Sequence, residues 1–224
     1  MAELQERITT VRISSTSGRL RIVAEGDAPI AFEGRADVAH DDGVVTIDAG
    51  SGSLLVTVPE GSDLIVGATS GRVDVTGRAG NVAIVTGSGR VTIDSAGAAD
   101  VRTGSGRVEI GSVDGECRVR SFSGRVVIRR CGRADVAGGS GQIRLEDVHG
   151  QAAAHCVSGR ITIALASAAD VTAETVSGRI DVSLPHGVRV HRVTSIGDPG
   201  LRPPDTDCTV AARSGSGRIT ISSR

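Results

Sequence analysis

Arginine is the residue whose placement could do chemistry. Arg72, Arg90, Arg107, Arg125, Arg160 and Arg179 each sit in Ser-Gly-Arg followed by Val or Ile. A guanidinium is planar, always charged, and presents a fork of donors that fits a carboxylate or a phosphate. Repeated at one outward position, six of them could form a stripe for an anionic glycan or another phosphate- or carboxylate-bearing polymer. Like charges stacked at strand spacing repel unless countered. Asp74, Glu109 and Asp181 lie two positions beyond three of the arginines, on the same strand face, and are expected to counter them. The plainer reading, a solvated and half-compensated strand face, is the weightier one from sequence.

Other chemistry finds no support. The serine of Ser-Gly-Arg recurs at every copy, whereas a nucleophile is needed once, and no G-x-S-x-G elbow leads into a helix. His40, His149, His155, His186 and His191 are scattered, and His155 points outward where Cys156 points inward, so they form no dyad. The acidic pairs Asp41-Asp42 and Glu146-Asp147 fall in links and set up no carboxylate pair for glycoside cleavage. Cys117, Cys131, Cys156 and Cys208 fit no metal-site spacing; two fall on inward positions, and all are read as buried free thiols. The calcium β-roll motif lacks its Asp. The expectation is no catalytic residue, no metal, no cofactor and no enzyme.

Composition narrows the partners. Lys+Arg total 25 against 26 Asp+Glu, a net charge of −1, so the chain lacks the basic excess of a general polyanion or nucleic-acid binder. Phe32 and Phe122 are the only aromatics, which weakens recognition by stacking on bases or sugars. It also implies a thin interior filled by Val, Ile, Leu and Ala.

The elements that must position the arginines follow from the repeat. The Ser-Gly corners Gly71, Gly89, Gly106, Gly124, Gly141, Gly159 and Gly178 are spaced 18, 17, 18, 17, 18 and 19 residues apart. A near-constant period of this size marks a stacked repeat. The second and fourth residues after each glycine are aliphatic throughout, from Val73/Val75 to Ile180/Val182, and polar residues alternate with them. Period-two alternation is a half-buried strand. Before each corner the inward positions are smaller, as at Val101/Thr103 and Ala173/Thr175. Glycine permits the corner, and stacked serine hydroxyls are expected to satisfy corner amides. The fold predicted is all-β, a parallel β-solenoid or β-helix of ~18-residue rungs, with room for a third short face.

The ends are less regular. Residues 1–60 read as an N-terminal cap with first irregular rungs, 61–185 as regular rungs, and 186–224 as a looped C-terminal capping rung, all within a single domain 1–224. Phe32 is expected to plug the first end. The loop from Gly197 to Asp205 is expected to lead into a closing strand, paired antiparallel. With no signal peptide or apolar run of ~18 residues, the expectation is a cytoplasmic chain without an integral membrane segment.

The cadence of Thr175-Val176-Ser177-Gly178-Arg179-Ile180-Asp181-Val182 resembles the bacterial adhesin-like β-strand-repeat family of unknown function. The resemblance covers most of the chain, including the turn at Ser183–Gly187. Arg here replaces the family's frequent Asp after glycine, so an acidic face is not carried over. The resemblance implies a β-repeat fold and supplies no catalytic residue. The functional expectation is a non-enzymatic scaffold or protein-interaction module that self-associates or meets a protein partner. The alternative is adhesin-like binding of an anionic glycan or cell-envelope polymer along the arginines, and a polysaccharide-active β-helix enzyme ranks last.

Overall fold

Alternation dictates strands almost everywhere. The computed structural model describes residues 10–41, 43–193 and 205–223, and these contain no helix. The strands are β1 (Thr10–Ser15), β2 (Ser17–Ala24), β3 (Ala31–Glu33), β4 (Asp37–Asp41), β5 (Val44–Asp48) and β6 (Ser51–Val58). Then come β7 (Asp63–Val148), β8 (Ala152–Leu165), β9 (Val171–Leu184), β10 (Val190–Val193) and β11 (Cys208–Ser223). β7 runs for 86 residues because it bends at successive glycine corners without interrupting the ladder between layers.

Successive layers pair in parallel and in register. β7 meets β8 through Ala134↔Ala152 and Ile143↔Ile161, and β8 meets β9 through Ala152↔Val171 and Ile161↔Ile180. The corner glycines therefore stack in a column. A Cβ placed on Gly141 would strike the carbonyl oxygen of Gly124, and the same collision repeats from Gly71 to Gly217. Gly141 has φ +129°, a region closed to side chains. Close approach and positive φ together make this position glycine-only.

All fourteen aliphatics predicted inward after the corners, from Val73 to Val182, are buried in one continuous core. Each contributes roughly 1.5–3 kcal/mol by leaving water. Ala96, Val113, Cys131 and Val148, each seven residues past its corner glycine, are buried as well and supply the third inward row. All four cysteines are buried and free, as expected, including the two not placed on inward strand positions by the repeat. Desolvation pushes the Cys131 thiol up to about 11 and raises Cys117 further. Such thiols are inert at neutral pH.

Both ends depart from sequence order. β1 and β2 lie between β5/β6 on one side and β7 on the other, through Arg19↔Arg72 and Gly18↔Gly52. The first layer in sequence is thus the second in space. β3 and β4 then add antiparallel to β6 and β5 and cover the outer edge, a standard protection for a terminal strand. Phe32 sits in β3 with 42 % of its surface exposed, so it plugs nothing. A three-residue antiparallel strand lies beside the stack and cannot drive a ring into its interior. At the other end β11 inserts against β9, and β10 lies outside it in parallel. The expected antiparallel closure is corrected to a parallel one. The expected loop at 197–205 falls outside the described residues except for Asp205.

Candidate binding surface

The Ser-Gly ridge divides the exposed surface into two strips. On one strip, one residue past each corner, lies the arginine column. Arg160 pairs in register with Arg179, Arg179 with Arg218, Arg72 with Arg19, and Gln142 stands in the place of an arginine beside Arg160. Neighbours in such a column are ~4.8 Å apart at Cα. Compensation is thinner than the sequence suggests. Arg107 contacts Glu109 at 3.5 Å. Among the described residues, Arg72, Arg90, Arg125, Arg160 and Arg179 have no ion pair, and neither Asp74 nor Asp181 reaches one.

The opposite strip is concave. Residues two and four before each corner glycine line a furrow of about 940 Å³ that runs across the layers from Val85 to Gly215. The column two before the corner reads Thr69, Gly87, Gly104, Phe122, Gly139, Val157, Val176, Gly215 in successive layers. Phe122 is 78 % exposed, Val176 64 %, Val157 58 %, and Val85 beside them 57 %. The column four before the corner forms a charged wall. Arg120 holds Asp135 in a two-point contact, Nη2–Oδ2 2.8 Å and Nη1–Oδ1 3.1 Å. That hydrogen bonding and charge keep the Asp135 carboxyl below its ordinary value. Glu174 accepts from Arg213 at 3.0 Å and faces His155 Nδ1 at 3.3 Å.

Between the two columns a row of small polar groups points inward. The hydroxyls of Thr86, Thr103, Ser121 and Thr175 donate to the carbonyls of Ser88, Ser105, Ser123 and Ser177 at 3.2–3.4 Å. The Cys156 thiol does the same to Ser158 at 3.2 Å. The corner serines expected to satisfy the backbone mostly lie exposed instead. The group that satisfies it sits three residues before the glycine, because only that side chain faces the turn from inside.

The family described as Toastrack DUF4097 matches residues 5–199. The chain belongs to this family. A comparison with curated proteins finds no match. Among solved structures the chain is similar to a "putative cell adhesion protein" from Clostridium sporogenes. Identity is 10 % over 100 % of this chain and 96 % of that one, at a TM-score of 0.25, which carries no argument. Toastrack membership agrees with the resemblance to an uncharacterised β-repeat family read from the repeat.

Within this Toastrack chain no three His, Cys, Asp or Glu side chains group as metal ligands among the described residues. Of the residues singled out by sequence, the corner glycines stack as one column and the arginines as another, while Cys156 and His155 point to opposite sides. The furrow was missed. Its signal is the alternation of glycine with Phe or Val two before each corner, which is visible only when the copies are aligned on the glycine.

Proposed function

We propose that the chain is a parallel β-solenoid of about 18-residue rungs, a single non-enzymatic domain, and that it is a scaffold binding a linear polyanion along its arginine column. The ligand class is an anionic glycan or cell-envelope polymer with regularly spaced carboxylate or phosphate groups. One observation carries the reading: Arg72, Arg90, Arg125, Arg160 and Arg179 share a single register column and, among the described residues, have no ion pair. An uncompensated column holds its repulsion until an external anion relieves it. The net charge of −1 confines this field to one strip, so binding is a matter of local geometry and not of bulk attraction.

The test is affinity for dextran sulfate against neutral dextran. The wild type should bind the former with an affinity that falls linearly on a log–log plot against salt, as charge neutralisation requires. The triple change Arg125→Ser, Arg160→Ser, Arg179→Ser should weaken it by at least about a thousandfold, at roughly 1.5–3 kcal/mol per charge-assisted contact. Unchanged affinity overturns the reading.

A further inference from the structure

We infer that the furrow is a self-complementary face on which a second copy of this chain docks antiparallel. One column of the furrow matches its own reverse. Over the layers from the start of β7 to β11 it runs Thr69, Gly87, Gly104, Phe122, Gly139, Val157, Val176, Gly215, and past Thr69 it continues through Thr16 and Gly50 of the interleaved first layers. Reverse it and lay it on itself, with the two-fold axis between Phe122 and Gly139. Phe122 then faces Gly139, Val157 faces Gly104, Val176 faces Gly87, and Thr69 faces Gly215. Every side chain meets a glycine, and no glycine meets a glycine. Because both copies carry the same interlayer spacing of ~4.8 Å, the match holds over these eight layers without adjustment, and the Thr16 and Gly50 layers of each copy lie beyond the overlap.

This is the pattern an isologous interface demands, in which residue i of one copy meets j of the other and j meets i. The wall beside it obeys the same reversal. Arg120 comes opposite Ala137, Arg213 opposite Gly67, and Val85 opposite Glu174, so no two arginines and no two acids are brought face to face. Arg102 comes opposite His155, which Glu174 already engages at 3.3 Å. Backbone amides and carbonyls along the furrow are committed to the ladders between layers. Contact is therefore made through side chains over bare glycine backbone, and an added strand has nowhere to pair.

Four exposed apolar side chains in one furrow are themselves out of place on a monomer, the more so when Phe122 is one of two aromatics in the chain. The centre of the proposed contact is the place where Phe122 and the run Ala137-Gly138-Gly139 adjoin, a bulky aromatic one layer from the barest stretch of the column. Aromatic anchors seated centrally are where interfaces concentrate their energy. None of the arginines in the polyanion column lines the furrow, so this inference stands apart from the proposed function.

The experiment is light scattering of the purified chain with Phe122→Asp and Val157→Asp, alone and together. The wild type should be a dimer, and each variant should lose it while keeping the same far-ultraviolet circular dichroism. Val38→Asp, at an exposed apolar site outside the furrow, should leave the dimer intact. Spin labels on Ser216→Cys or Ser88→Cys, both exposed on the ridge beside the furrow, then read the direction. Antiparallel docking puts paired labels about 34 Å and about 24 Å apart along the stack, seven and five layers at ~4.8 Å. A wild type that stays monomeric, variants that still dimerise, or equal distances from the two label sites would overturn the inference.

Discussion

Single side chains decide how tightly each corner closes. The inward donor three residues before the glycine is Thr, Thr, Ser, Cys and Thr in five layers. Its job is to satisfy one carbonyl. Thr175→Val keeps the shape and removes the donor, and should cost about 1 kcal/mol in urea unfolding. Cys156→Ser keeps a donor, a stronger one than a thiol, and should leave stability unchanged or slightly raised. The Arg120–Asp135 contact has a pH signature. The folded carboxyl lies below its unfolded value, so its contribution is fully present above the unfolded pKa of about 3.9 and is lost as pH falls through the folded one. The stability gap between wild type and Asp135→Asn should therefore be constant near neutrality and shrink below about pH 4. Unfolding curves collected down the acid limb would read it.

Strand order, not strand position in sequence, sets local stability. β1 and β2 are flanked by strands on both sides, whereas β5 and β6 have only short β3 and β4 on their outer side. Amide hydrogen exchange should be slower in Leu20–Ala24 than in Leu54–Val58, and slower in Val210–Arg213 than in Val190–Val193, since protection follows burial of the ladder. Equal rates within either pair would contradict the interleaving. Sequence alone could show the inward rows, because Val126, Ile128 and their equivalents repeat with fixed offset from a glycine, and the core needs nothing else. It could not show which layer β1 joins. Ser17-Gly18-Arg19 and Ser51-Gly52-Ser53 carry the same corner, and either would stack on Gly71 as far as pattern goes. Nor could it show that Asp74 and Asp181 leave their arginines uncountered, because side-chain reach is not a property of periodicity. The furrow lay in plain view as Gly-or-Phe-or-Val before Ser-Gly, but an exposed position looks unconstrained until neighbouring layers are set side by side.

At the scale of the molecule, the two strips make separate demands on the same ridge. One is tested by dextran sulfate and the other by the mass of the particle in solution, and loss of either leaves the other measurable. The interleaved ends matter here too. An ordinary stack can gain or lose a repeat anywhere, since each repeat touches only its neighbours, and folding would scarcely register the change. This chain has closed both ends by tucking a later or earlier segment inward, which leaves its middle as the place where a repeat could be copied or dropped. Yet removing the layer of Gly139 would set Phe122 against itself across the two-fold axis, even though each valine would still face its glycine. The number of layers between Thr69 and Gly215 is then a quantity that folding leaves open and association fixes: the molecule is measured against its own reverse.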